Sequence, residues 1–286
     1  DHRDLHSFPT RRSSDLTASA GTIRNILREA QLNPHKVTYY CEKRDPEFDR
    51  KMHDVLVIYK QLEIRFDEEG TFIPFPEGET PVHTLSYDEK PGVQAIATTS
   101  DDKPPVPNTE ALSTVMRDYE YKRLGTISLL AAIDLLTGEA IPLVSDTHKS
   151  TDFVEFLKKL DDKYPKGDKI RIILDNHSAH TSRETQEYLN DTANRFEFVF
   201  TPTHGSWLNM VEGFFSKMTR QMLTGIRVAS KDELKARIYK YFEEVNSIPV
   251  PYKWKHKMDT IRLEDEDVNQ IIYEVVNAKA ANPENK

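Results

Sequence analysis

"KIRIILDNHSAH" (Lys169–His180) decides how this chain folds. Its first half is a short apolar run of the kind that forms a buried strand. Its second half is a polar cluster that begins at Asp175. In open sheets, side chains at strand ends leave the core and meet a crevice, so chemistry gathers there. Asp175 is therefore the first candidate for function.

Working outward, downstream of this stretch "RFEFVFTP" (Arg195–Pro202) reads as a strand and "SWLNMVEGFFSKMTRQML" (Ser206–Leu223) as a helix. "SKDELKARIYKYFEEV" (Ser230–Val245) reads as a helix with a capping box from Ser230 to Glu233. Upstream, "STDFVEFLKKLDDKYP" (Ser150–Pro165) is a capped helix with Phe153, Leu157, Leu160 and Tyr164 inward. "GTISLLAAIDLLTGEAIPLV" (Gly125–Val144) is a hairpin that turns at Leu136-Thr137-Gly138, and Thr98–Asn108 is a loop. "VHTLSYDE" (Val82–Glu89) is a strand ending in carboxylates. The order implies an α/β domain, a mixed sheet flanked by helices.

The front of the chain is helical. "DPEFDRKMHDVLVIYKQLEI" (Asp45–Ile64) carries Phe48, Met52, Val55, Tyr59 and Leu62 on one stripe, with Pro46 at the first helical position. "EEGTFIPFPEGETP" (Glu68–Pro81) breaks every period and marks a domain boundary. "SAGTIRNILREAQL" (Ser19–Leu32) is a short helix capped by Ser19. It reads either as a solvated amphipathic helix or as the last helix of a helix-turn-helix, with Arg24, Asn25 and Arg28 on the groove side. Residues 1–16 show no period and lack the apolar segment of roughly 7–15 residues that a secretory signal needs. His6–Leu16 resembles the translation of a sequencing adapter, so an assembly artefact ahead of a truncated reading frame is expected. The expected division is 1–16 artefact, 17–67 helix-turn-helix remnant and linker helix, 80–250 catalytic domain, and 251–286 tail.

The 286 residues allow one large domain or two smaller ones. Apolar content of 37% beside 30% charged residues describes a soluble chain, and no apolar run approaches the roughly 18–20 residues of a membrane span. The single cysteine, Cys41, excludes an internal disulfide framework and fits a reducing cytoplasm. A net charge of −8 taken alone argues against a nucleic-acid partner. The basic groups are clustered, however, at Lys253–Lys257 and at Lys217, Arg220 and Arg227, so net charge does not settle the partner.

Three acids fall at informative places. Asp88 ends the first strand and Asp175 ends "IRIIL". At about 100° per residue, Glu212 lies at the margin of the apolar arc of Leu208, Val211, Phe215, Met218 and Met222, with Ser216 and Thr219 on the same margin. Converging carboxylates suit Mg²⁺ or Mn²⁺, which prefer hard oxygen ligands. Two such ions about 3.5–4 Å apart clamp an in-line displacement at phosphorus. Asp88, Asp175 and Glu212 are thus candidate catalytic residues and candidate ligands for two ions. Glu89 follows Asp88 directly, is expected on the opposite face of the strand, and is not counted as a ligand.

"TLSYDEKPGVQAI", "RDYEYKRLGTISLLAAID", "ILDNHSAH" and "FVFTPTHGSWLNMVEGFFSK" resemble the bacterial insertion-sequence branch of the mariner superfamily of DDE transposases. The resemblance runs from about Ser19 to about Met258. It implies an RNase H-like catalytic domain behind N-terminal helix-turn-helix modules, of which only the tail is expected here. It also implies the triad Asp88, Asp175 and Glu212, whose last two members have thirty-six residues between them, close to the family's mid-thirties spacing. The implied chemistry is metal-dependent cleavage at transposon ends, then attack of the freed 3′-hydroxyl on target DNA. Double-stranded DNA is the implied partner, with a homodimer to hold both ends. Two other activities fit the same residues: an RNase H-like nuclease without strand transfer, and a non-catalytic DNA-binding remnant.

Neighbouring residues carry two readings each. Asn176 and His180 either support the acids or cap the loop, and His204 and Asn209 stand at the entry to the Glu212 helix. Trp207 either stacks on a base or packs in the core. Lys217 and Arg220 either contact backbone phosphates or form a solvated helix face.

Overall fold

A computed structural model describes residues 18–34, 36, 45–67, 69–107, 113–192, 194–255 and 258. The stretch 1–16, expected to be an artefact, and Cys41 lie outside the described residues, as does most of the tail. The chain divides into two compact units, Asp1–Glu42 and Lys43–Lys286.

In the first unit, α1 (Ala20–Glu29) is capped as its sequence implies: the Ser19 hydroxyl accepts from the Thr22 N–H at 3.1 Å. Ile23 and Ile26 on its apolar face are about half exposed.

The second unit is built on a five-stranded sheet of order β3-β2-β1-β4-β5. Its strands are β1 (Val82–Thr98), β2 (Tyr121–Asp134), β3 (Ala140–Ser145), β4 (Lys169–Leu174) and β5 (Phe196–Phe200). The first three form an antiparallel meander. β4 then pairs parallel to β1, and β5 parallel to β4. Helices α2 (Phe48–Ile64), α3 (Ser150–Lys163), α4 (Arg183–Asp191), α5 (Val211–Met218) and α6 (Lys231–Asn246) complete the unit. Three antiparallel strands followed by two parallel ones, with helices on both faces, is the RNase H-like arrangement that the resemblance implies.

Period-two alternation sorts the strand residues into two cores. Ile127, Leu129, Ala131 and Ile133 of β2 join Val55 and Tyr59 of α2, Val211 and Phe214 of α5, and Ile238 and Phe242 of α6. Leu130 and Ala132 point the other way, with Leu85, Tyr87, Ile172 and Leu174, and meet Phe153, Phe156, Leu157 and Leu160 of α3.

The structure corrects the sequence reading in two places. First, β1 does not end at the carboxylates; it runs on to Thr98, with register shifts after Lys90 and after Ala95, so Asp88 lies within a long strand. Glycine and proline at 91–92 read as a stop, but β2 is long enough to carry the pairing past them. Second, 206–223 is not one helix. A 3₁₀ turn (Ser206–Leu208) leads to α5, which passes into a π turn (Thr219–Leu223). Asn209, with ψ of 109°, breaks the first junction. Helix α2 falls in the second unit, where its stripe of Val55, Leu56, Ile58 and Tyr59 is buried in the first core. The start of the tail joins the same unit: Trp254 stacks on Tyr59 with ring centroids 5.4 Å apart.

Candidate active site

Parallel pairing of β1 with β4 brings two of the acids together. The last paired residues are Ser86 and Ile173, so Asp88 and Asp175 each stand two positions beyond, where the two strands part. Alternation puts both on the face that carries α5. Carboxylate oxygens of Asp88, Glu89 and Asp175 lie within 4.8 Å of one another. Glu89 leaves β1 on the opposite face, as expected, and the Tyr87 hydroxyl donates to its Oε1 at 2.8 Å. Its carboxylate nevertheless reaches the group. The sequence signal was present in "YDE": residues 87 and 89 share a face, so a tyrosine could hold the glutamate against the strand end.

The electrostatics follow from crowding. Burial raises the Asp88 carboxyl to about 7, and the charges of Glu89, Asp175 and Glu212 push the same way, against one hydrogen bond from the Glu89 N–H. Burial opposes ionisation of Glu89 too, yet His180 and Tyr87 donate to it and hold its pKa below the ordinary value. Those influences on Asp88 include no cation. Hard oxygen donors crowded within a few ångströms, with one carboxylate forced toward its neutral form, fit a divalent cation, whose bonds to oxygen are about 2.0–2.6 Å for Mg²⁺ and Ca²⁺. Asp88 and Asp175 are placed to hold one, with the Glu89 carboxylate beside them.

Glu212 is outside that group and is exposed in the first turn of α5. It shares with Asp88 and Glu89 an open cleft of about 550 Å³, whose walls include Ser216, Thr219 and Arg220. The margin of the helix computed from the sequence is therefore the wall of this cleft. Asn209 sets the helix there. It is buried, accepts from the Ser86 hydroxyl, and donates to the Tyr87 carbonyl at 2.6 Å. Ser86 in turn accepts from the Val211 N–H at 2.9 Å. Tyr59 of α2 donates to the Leu208 carbonyl at 2.6 Å from the other side. Ser86 and Tyr59 escaped the sequence reading. A serine at an inward position of an apolar strand is the signal that pointed to Ser86.

The remaining candidates separate. The His180 ring is fully buried and bonds to Glu89 Oε1 and to the Asp175 carbonyl, both at 3.0 Å. Asn176 instead donates to the Thr201 carbonyl at 2.6 Å and ties the loop to β5. His204 is exposed at a turn with a left-handed φ of 63° and stands apart from the Asp88, Glu89 and Asp175 group. Trp207 is 38% exposed, and its ring lies 5.9 Å from that of Trp254. Arg220 lines the acidic cleft, whereas Lys217 lines a separate open groove with Arg117, Arg227 and Arg237. Arg24, Asn25 and Arg28 are exposed on α1 in the other unit, with Arg28 donating to Asn25 at 3.2 Å.

Acids where two parallel strands part, in this strand order, are the arrangement expected of an RNase H-like domain. Residues 113–235 match the family of DDE superfamily endonucleases; the match contains Asp175 and Glu212 and begins after Asp88. This segment is thus similar to that family, and the chain's motifs resemble its insertion-sequence branch. It is 24% identical over 231 residues to an insertion element IS630 protein of 39 kDa from Shigella sonnei. That alignment takes in 81% of this chain and 60% of the relative, so the chain spans about three fifths of the relative's length. Among solved structures, the Mos1 mariner paired-end complex with Mn is 13% identical, covers 98% of this chain and 82% of its own, and has a TM-score of 0.48. The Mos1 transposase catalytic domain with raltegravir and Mn is 12% identical, with coverage of 85% and 97% and a TM-score of 0.46. Among the described residues no helix is long and apolar enough to cross a membrane.

Proposed function

We propose that this chain is the catalytic part of an insertion-sequence transposase. It would cut DNA at the element's ends and join the freed 3′-hydroxyl to target DNA, as a homodimer in the bacterial cytoplasm, at the nucleoid. The observation that carries this reading is the meeting of Asp88 and Asp175 at the edge of a cleft walled by Glu212.

Asp88 and Asp175 would hold the ions, and Glu212 would complete the second of two positions. When bound, Mg²⁺ or Mn²⁺ supplies the positive charge that an in-line displacement at phosphorus needs on its attacking and leaving oxygens. The chain supplies the rest. Arg220 stands on the cleft wall where a phosphate entering the site would pass. Lys217, Arg227 and Arg237 line the groove on the other flank of α5 and would track the phosphate backbone without reading sequence. Arg24, Asn25 and Arg28 would contribute to recognition of the ends, and Trp207 would stack on a splayed base.

The test is a pair of assays on duplexes carrying the element's ends: Mg²⁺-dependent nicking, and strand transfer from pre-cut ends. Both are expected, and both are expected to vanish in Asp175→Asn while the fold persists by circular dichroism. Nicking without transfer would reduce the reading to a nuclease. Metal-independent binding alone, with wild type and Asp175→Asn equally inert, would overturn it.

A further inference from the structure

His180 takes no part in the chemistry just described, yet its ring is fully buried beside the acids. Its Nδ1 donates to the Asp175 carbonyl at 3.0 Å, and its Nε2 faces Glu89 Oε1 at 3.0 Å across ninety-one positions of sequence. A backbone carbonyl can only accept, so Nδ1 carries hydrogen. The ring is fully buried and the Glu89 side chain is 8% exposed. Phe153 of α3 packs on the imidazole at 4.6 Å between centroids, and Tyr87 meets it edge-on at 5.6 Å. The same tyrosine donates to the glutamate oxygen that faces His180.

Resting on the metal-site reading above, we infer that Glu89 and His180 form a latch whose task is to fix the spacing of Asp88 and Asp175. His180 is a positioning residue, and Glu89 is its counterpart rather than an independent metal ligand. The geometry carries this in three ways. Glu89 Oε1 is already engaged by two donors. Glu89 is the chain neighbour of Asp88, so anchoring it anchors the Asp88 backbone. The other end of the imidazole grips the peptide of Asp175 itself. The latch is seated in the α3 core, on the face of the sheet opposite Glu212, so the rigidity of that core reaches both acids. Groups that orient metal ligands typically change metal affinity by about 10–100-fold when removed.

The test is Mn²⁺ affinity of the whole chain, by electron paramagnetic resonance and calorimetry. The variants are Asp175→Asn, Glu89→Ala, His180→Ala and the double variant Glu89→Ala/His180→Ala, each with a thermal melt taken without metal. The expected result is a loss of about tenfold or more in each single latch variant and no further loss in the double, because residues acting as a unit are not additive. His180→Gln keeps a donor toward Glu89 and is expected to recover part of the affinity; it also serves if His180→Ala does not fold. Wild-type affinity in a folded His180 variant would overturn the latch. So would a double variant whose loss is the product of the single losses, since Glu89 would then act on the metal by itself. Mn²⁺ binding that is indifferent to Asp175→Asn would instead sink the metal-site reading, and the latch with it.

Discussion

The amide of Asn209 donates to the carbonyl of Tyr87 across 122 positions of sequence. That bond joins the strand of Asp88 to the turn that launches the helix of Glu212, and the buried Ser86 hydroxyl, which accepts from the Val211 N–H, spans the same two elements. Asn209→Ala leaves the Ser86 hydroxyl and the Tyr87 carbonyl without their partner. A loss of about 1–3 kcal/mol in urea unfolding is expected. Mg²⁺-dependent nicking should fall as well, because α5 loses its tether. Nicking at the wild-type rate in a destabilised variant would show that the tether supports only the fold.

The crowded carboxyl of Asp88 gives stability a definite pH dependence. Its folded-state value is raised from 3.8 to about 7. Between those limits the native chain keeps a proton that the unfolded chain has released, so this group's contribution to stability falls as pH rises through that window. In metal-free buffer the urea midpoint of wild type should decline from pH 4 toward about pH 7 more steeply than that of Asp88→Asn. Saturating Mg²⁺ should flatten the difference, since a cation that binds the ionised cluster favours the native state. Parallel curves for wild type and variant would refute the account.

Gly138 in the β2–β3 turn has a φ of 78°, and a Cβ there would lie 2.3 Å from the carbonyl carbon of Val250. Neither the turn nor the backbone crossing it can give way cheaply. Gly138→Ala should displace the 250–254 strap and destabilise the fold by at least the roughly 1–3 kcal/mol of an unfavourable backbone conformation. Fluorescence of Trp254, which stacks on Tyr59, should shift toward that of exposed indole in the folded variant. An unchanged spectrum and melting temperature would contradict this.

Arg195 offers a control remote from the acids. It is buried, pairs with Asp161, and donates to the carbonyls of Pro165, Asp168 and Tyr164 at 2.7–2.8 Å. Arg195→Ala strands those acceptors and leaves Asp161 with Lys166 alone, at 2.6 Å. A loss of about 3–5 kcal/mol is expected from breaking such a buried pair. Mn²⁺ affinity measured well below the melting temperature should not move. A matching loss of affinity would mean that the far end of β4 is coupled to Asp175.

Much of this was legible from residue spacing, and the failures have physical reasons. Apolar runs mark β4 and β5 because buried parallel strands need no polar face. The phase of Glu212 survives the break at Asn209 because Ser216 and Thr219 keep its side of α5. Strand alternation separates Asp88 from Glu89 correctly, but it says nothing about side-chain reach at a strand end, where the two carboxylates come back together. The course of β1 past Pro91 depends on what β2 offers it, and the place of α2 depends on a core assembled from residues far along the chain. No local pattern encodes either.

The meander of β1, β2 and β3 joins neighbours in sequence, whereas β4 reaches β1 only after some eighty intervening residues. Short-range hairpins close readily, while long-range parallel pairing is slow. On a ribosome, therefore, the hairpins can form well before Asp175 has been made, and Glu212 follows later still. The three acids can therefore come together only after the segment that carries Glu212 has been made.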